Sequence, residues 1–257
     1  MTEGLRLTLT ALPGIPLIQD GADLVSITRE GLARASISLR DGDVLVFAQK
    51  IVSKAEGRRV ALSQVTPSPR AMALASYAEK DPRFVEVVLR ESREVLRVRP
   101  GLLVVEHRLG FVCANAGVDR SNVGPHGDEE WVLLLPEDPD GSCERLRSAI
   151  QATIGARVGV IINDSHGRAW RNGTVGVAVG VAGLPAVQDM RGHPDLFDYT
   201  LQITQIGAAD ELAAAASLLM GQADEGTPII HARGFPYPLR EGRLPELLRP
   251  REFDAFR

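Results

Sequence analysis

Two lysines four residues apart, Lys50 and Lys54, lie in the stretch QKIVSKAEG, and the only other lysine in the chain is Lys80. All remaining basic side chains are arginine. Arginine presents a planar fork, whereas lysine presents a compact ammonium on a flexible stem that suits a single phosphate oxygen. The pair therefore reads as a grip on a polyanion. The run DVLVFAQKIV (43–52) has the composition of a β-strand, and an even separation on a strand puts both lysines on one face. A strand edge guarded by lysine is the competing explanation.

A second polar cluster follows the apolar run of RVGVIINDSHGRAWRNG, where Asn163, Asp164, Ser165 and His166 are delivered at the C-terminal end of a strand. Arg168 and Arg171 follow in a glycine-bearing turn. Carboxyl ends of strands are where sheets place ligands. A carboxylate beside a hydroxyl, with guanidinium groups nearby, suits a Mg²⁺ or Mn²⁺ ion shared with substrate phosphates. Taken alone, that reading stands level with an Asx-turn beside a solvated loop. CANAGVDRSNVG supplies a second such loop, with Asn115, Asp119, Arg120, Ser121 and Asn122, and two in one chain tilt the balance toward a metal held by Asp119 and Asp164. His166 fits an orienting group as well as a general base. Pro13, Gly14, Ile15 and Pro16 form a rigid turn whose amides are open to a base or phosphate, although a plain loop would look the same.

These clusters need elements to hold them. Apolar, β-rich runs occur at 5–12, 43–52, 101–107, 110–116, 131–136, 157–163, 173–183, 199–207 and 227–234, and helical patterns at 68–80, 84–97, 140–155 and 208–221. Asp140 or Ser142 is placed to cap the third helix, and Gly155 and Gly221 to end helices. Gly176, Gly180 and Gly183 in GVAVGVAG lack dinucleotide-fingerprint spacing and fit a strand packed closely against another backbone. Strands outnumber helices and bunch mid-chain, which predicts an α+β fold. The final residues read as a loop and a short amphipathic surface helix.

Composition narrows the function. The 257 residues are 44% hydrophobic and 24% charged, with a formal net charge of −4. That is ordinary globular composition, and it argues against a nucleic-acid partner, which needs massed basic side chains. No apolar run approaches a membrane span, and the N-terminal residues lack a signal-peptide pattern, so the expectation is a cytoplasmic protein without a membrane partner. Cys113 and Cys143 fit no disulfide framework or zinc pattern. P-loop, GxSxG and HExxH motifs are absent from the sequence.

Taken in order, LPGIPLIQDGADL, DGDVLVFAQKIVSKAEGR, ESREVLR, NAGVDRSNV, LLPEDPDGSCERLR, VGVIINDSHGRAWRNGTVGVAVGVAG and LLMGQADEGTP resemble the coenzyme F420-0:L-glutamate ligase family. The likeness runs from about residue 12 to about residue 235. It implies one γ-glutamyl ligase domain over 1–257, built from two intertwined α/β subdomains with mixed sheets, and a homodimer. The implied activity is GTP-dependent ligation of L-glutamate to coenzyme F420-0 through an acyl phosphate, with Mg²⁺ or Mn²⁺ and with K⁺ assisting. By position in the motifs, Asp119 and Asp164 resemble metal ligands, with Ser165 and Gln222 as candidates for a second metal. Pro13, Gly14, Ile15, Pro16, Gln49, Lys50, Lys54, Asn122, and the 220–227 segment with Gly221, Gln222, Ala223, Asp224, Glu225 and Gly226 resemble the GTP pocket. Lys54, Arg168 and Arg171 join the two aspartates as expected catalytic groups. Gln222 stands where archaeal members carry glutamate, and Asp198 and Tyr199 replace a usual Gly-Arg pair. The alternatives are the same chemistry on another carboxylate acceptor, a metal-dependent GTP phosphohydrolase, or a non-catalytic nucleotide-binding homologue.

Overall fold

A computed structural model describes residues 4–124 and 129–255. In chain order the elements are β1 (Thr8–Ala11), α1 (Leu24–Arg34), β2 (Val44–Ala48), α2 (Gln49–Ala55), β3 (Arg59–Ala61), α3 (Pro69–Ala78), α4 (Pro82–Arg90), β4 (Ser92–Arg99), β5 (Leu102–His107), β6 (Val112–Ala114), β7 (Trp131–Leu133), α5 (Pro139–Ile154), β8 (Gly159–Arg168), β9 (Arg171–Ala182), β10 (Gln188–Asp189), β11 (Gln205–Ile206), α6 (Ala208–Met220) and β12 (Ile229–Arg233). Short 3₁₀ turns at Leu244–Glu246 and Arg251–Phe253 occupy the tail that the sequence assigns to a surface helix. The expected α+β class holds. No helix among the described residues is long and apolar enough to cross a membrane.

The main sheet has the order β1-β12-β2-β8-β9. Only β2 and β8 run parallel within it, with Val44 opposite Gly159 and Ala48 opposite Asn163. Alternation along the strands sends Leu45, Phe47, Val160 and Ile162 into a core with α1, α2 and α5, and Val44, Val46 and Ile161 into another with α6. A third core joins α3 and α4 to the β4-β5-β6 sheet and the β3-β7 pair.

Gly176 and Gly180 show why β9 carries glycines. A Cβ on Gly176 would lie 2.5 Å from the Ala213 carbonyl oxygen of α6, and one on Gly180 would lie 2.7 Å from the backbone of Pro139 at the start of α5. Helices thus close on β9 from both faces, as the sequence expects. The β9 backbone is tied in as well: Val181 N–H donates to Asp140 and Ala178 N–H to Asp210.

Four expectations change. Lys50 and Lys54 lie on a helix, not a strand, because β2 stops at Ala48, whose N–H donates to Pro228 O, and α2 begins at Gln49. A four-residue spacing still puts them on one face, since it is also a helical repeat. The 84–97 helix ends at Arg90; Glu91 is drawn inward by Arg58 and Arg108, and the alternating SREVLRVR becomes β4. Asp138, not Asp140 or Ser142, caps α5, accepting from Gly141 N–H at 3.0 Å, which leaves Asp140 to hold β9. Finally, the 199–207 run supplies only the short strand β11, paired with β10.

Candidate functional site

One end of the main sheet gathers motifs far apart in sequence. Leu12 N–H, just past β1, donates to Ile229 O, and Ala48 N–H donates to Pro228 O. Since Ala48 also pairs with Asn163, the Pro13–Gly14–Ile15–Pro16 turn, the start of α2, the 221–227 loop and the middle of β8 share that end. Gly14 takes a left-handed φ of 70°, and its carbonyl accepts from Arg34 at 2.8 Å, fixing the turn on α1.

Side chains bridge these segments. Lys50 Nζ lies 3.0 Å from Asp119 Oδ2 and donates to Ser121 Oγ at 3.1 Å and to Ser121 O at 3.2 Å. Asn122, itself at φ 55°, donates from Nδ2 to Ala223 O at 3.0 Å. Thus α2, the 119–122 loop and the 221–227 loop are joined directly. The 119–122 loop is pinned by the reciprocal bonds of Asp119 and Leu133.

Asp164 is reached differently from the sequence expectation. Its strand does not end there; β8 continues to Arg168 and turns through Ala169 and Trp170 into β9. A register shift between Ile162 and Asn163 redirects the side chains beyond it. His166 Nε2 lies 3.0 Å from Asp164 Oδ2, and the His166 ring tilts against Phe111. His166 therefore acts here as a group that orients Asp164.

The electrostatics favour a cation at the two aspartates. Burial pushes the Asp119 carboxyl up to about 6, opposed by Lys50 and reinforced by the charge of Asp164. Burial also acts on Asp164, but the His166 hydrogen bond and charge outweigh it and hold that carboxyl below its ordinary value. Asp119 Oδ2 is buried and makes no well-aligned hydrogen bond; its 3.0 Å approach to Lys50 is an ion pair only. A buried, under-coordinated carboxylate oxygen beside a second carboxylate is a donor set that a divalent ion fits. The described residues contain no cluster of three or more His, Cys, Asp or Glu side chains able to enclose a metal by themselves. Ions such as Mg²⁺ need no such cluster, because water and phosphate complete their shells.

Positive charge accumulates next to the aspartates. The Lys54 ammonium is held below its ordinary value first by burial, then by Arg59 and by Lys50. Neither Lys54 nor Arg59 has an ion-pair or hydrogen-bond partner among the described residues. Arg59 is the group that sequence reasoning missed. Its signal was the tandem Arg58-Arg59 after α2, in which Arg58 is consumed structurally by Leu135 O and Glu91 while Arg59 is left over. The amide of Gln49 and the hydroxyl of Ser53 are buried on the same helix, and neither has a hydrogen-bond partner.

Other expected residues stand farther out. Arg168 and Arg171 pair across the exposed tip of the β8–β9 hairpin, and Arg168 donates to Gly173 O at 3.2 Å. Four residues of strand place Arg168 roughly 13 Å beyond Asp164. Ser165 alternates to the opposite face from Asp164, toward α6, because its partner Gly176 faces that helix. Gln222, Ala223, Asp224, Glu225 and Gly226 form an exposed loop after Gly221, in which Glu225 accepts from Ala223 N–H at 2.8 Å.

A family model described as F420-0:Gamma-glutamyl ligase matches residues 14–234. The chain is 47% identical to a coenzyme F420:L-glutamate ligase of Methanothermobacter thermautotrophicus, with 98% of this chain and 99% of that protein covered. It is 45% identical to the protein of that name from Methanopyrus kandleri, with 93% of each covered. The Archaeoglobus fulgidus protein, also so named, is 43% identical over 98% of this chain and 97% of its own length.

Proposed function

The chain belongs to the F420-0:gamma-glutamyl ligase family, and on that premise we propose that it joins L-glutamate to coenzyme F420-0 at the expense of GTP. The observation that carries this is the direct bridging of the 49–54, 119–122 and 221–227 segments around Lys50, Asp119 and Asn122.

A carboxylate is a poor electrophile and must be activated before an amine can attack it. The γ-phosphoryl group passes from GTP to a carboxylate oxygen of the acceptor. The bond to the β-phosphate oxygen breaks, its electron pair stays on GDP, and an acyl phosphate forms. The glutamate amine then attacks the acyl carbon, phosphate departs, and the amine proton is lost. Such transfers need positioning and charge stabilisation. Lys50, Lys54 and Arg59 supply ammonium and guanidinium charge for the phosphate oxygens, which explains three cations crowded together with one carboxylate, Asp119, in contact. Mg²⁺ or Mn²⁺, when held by Asp119 and Asp164, would further offset charge on the transferring group. His166 keeps the Asp164 carboxylate aimed. Asn122 and the Pro13–Pro16 turn frame the nucleotide with the 221–227 loop.

A K⁺ requirement, a cytoplasmic location, two subdomains and a homodimer belong to the same proposal. Exposed Leu196, Phe197, Tyr199, Ile203 and Leu218 support the homodimer, being apolar surface that a second copy can cover. Mass spectrometry of F420-0 incubated with the protein, GTP, Mn²⁺ and glutamate tests the activity. Mass steps of one glutamyl unit together with GDP release are expected, and GTP consumption without any added glutamyl unit overturns the proposal.

A further inference from the structure

The tip of the β8–β9 hairpin carries an arrangement that stability does not explain. Arg168 stands directly opposite Arg171 across the two strands, and like charges so placed repel each other. Neither has a carboxylate partner among the described residues; Arg168 donates instead to Gly173 O at 3.2 Å. Between them Trp170 is held at a left-handed φ of 64°, which is costly for a bulky side chain. Trp170 is nevertheless 87% exposed. Backbone strain of this kind persists where a site uses it.

The hairpin also leads straight from the aspartate pair. Side chains alternate along a strand, so Asp164, His166 and Arg168 share one face of β8, while Ser165 and Gly167 share the other. The irregular pairing beside Arg168 leaves that alternation intact, because the residues left out of it, Asn172 and Gly173, belong to β9. The arm thus runs from Asp164, past His166 and the Phe111 ring against it, to the two arginines about 13 Å on. Gly173 adjoins Thr174, the partner of Gly167, so the Arg168 guanidinium lies back along the arm toward His166. The outward order is carboxylate, guanidinium pair, indole.

The acceptor of the proposed reaction has a complementary order: a lactyl carboxylate that must meet the transferring phosphoryl group, a phosphodiester next to it, and a flat deazaflavin ring at the far end. We infer that the β8–β9 hairpin is the acceptor subsite, with Arg168 and Arg171 gripping the phosphodiester and Trp170 stacking on the ring. The inference deepens the proposed ligase reaction and rests on it. A guanidinium fork matches the two free oxygens of a phosphodiester, and an anion between the arginines removes their mutual repulsion. An exposed indole offers a flat ring a stacking surface. Glutamate has no ring to stack there, and the phosphates of GTP are met by Lys50, Lys54 and Arg59.

Steady-state kinetics on the intact protein tests this, with acceptor, GTP and glutamate varied separately. Arg168→Met and Arg171→Met should each raise the KM for the acceptor by about ten- to a hundredfold, the range for loss of one charge-assisted contact. Trp170→Gly suits the left-handed backbone, so its effect reports the missing indole: the acceptor KM should rise by about five- to a hundredfold, the range for one stacked ring. Trp170→Phe should recover much of that loss. The KM for GTP and for glutamate should stay within about twofold throughout. Binding is read separately in a Trp131→Phe background, where Trp170 is the one tryptophan left and the deazaflavin acceptor should quench its emission. With ligation intact, an unchanged acceptor KM in the three loss variants, or emission that the acceptor leaves unaltered, overturns the subsite and leaves the ligase proposal standing. A rise shared equally by all three substrates also overturns it, since that marks a structural role. Absence of ligation in the wild type instead removes the ligase proposal, and the subsite with it.

Discussion

Lys54→Met separates a functional charge from a structural one. Lys54 is half-buried and has no anionic partner among the described residues, and burial, Arg59 and Lys50 all act against its charge. A side chain kept for stability would be paired. Removing it should therefore leave the unfolding free energy within about 0.5 kcal/mol of wild type, as for substitutions that break no contact. Nucleotide binding should respond in the other direction. Losing a partly desolvated charge from a charge pair costs about 2–3 kcal/mol at the lower end of such effects, which is about 30- to 150-fold in GTP affinity. The sign of the pH dependence follows from the direction of the shift. With its folded pKa below the ordinary value, Lys54 carries fewer protons folded than unfolded in the alkaline window between the two. Wild-type stability should thus gain on the variant as pH rises through that window. Urea unfolding and calorimetric titration with GTP are the assays. A loss of 1 kcal/mol or more in stability with unaltered GTP affinity would refute the reasoning.

Further outcomes follow from the same geometry. Asp119→Asn and Asp164→Asn should each lower turnover at least about a hundredfold, measured as glutamyl addition, because each removes a principal contact to the transferring group's charge. Glu91 is held down to about 2: burial pushes it up, but His107, Arg108 and Arg58 outweigh that. His107 Nε2 lies 3.7 Å from Glu91 Oε2, longer than a well-formed hydrogen bond. Because the folded pKa is depressed, the stabilisation is present above the ordinary value near 4.5 and is lost as pH falls toward 2. Glu91→Gln should cost about 3 kcal/mol in urea unfolding at pH 7 and almost nothing near pH 2. Gly176→Ala should destabilise by about 1–3 kcal/mol in thermal unfolding, since its methyl would overlap Ala213 O and Asn163 Oδ1.

What could be read from the sequence was chemistry in short motifs, and what could not was the backbone that carries it. The close packing of β9 was legible because glycines at 176 and 180 have no other use in a strand of valines and alanines. Lys50 and Lys54 were recognisable as a pair, yet the β-rich DVLVFAQKIV hid the change from strand to helix at Gln49. Ala48, still bonded through its N–H to the carbonyl of the sequence-remote Pro228, is the last extended residue before the first turn of α2. The 84–97 segment failed similarly, because Glu91 is turned inward by arginines from positions 58 and 108. The turn does fall between Arg168 and Arg171, but the expectation that the strand stops at Asp164 was wrong, because periodicity does not show how far a hairpin arm extends. Arg59 escaped notice because only the structure reveals that its neighbour Arg58 is already engaged.

The central claim is that Lys50, Lys54, Arg59, Asp119 and Asp164 surround one triphosphate and its divalent ion. Crystals grown with Mn²⁺ and a non-hydrolysable GTP analogue, with manganese located by its anomalous signal, test it most directly. Manganese bound to Asp119 and Asp164, with the β- and γ-phosphates against Lys50, Lys54 and Arg59, is the expected result. Manganese or phosphates located elsewhere, with these side chains as they stand in the free chain, would contradict it.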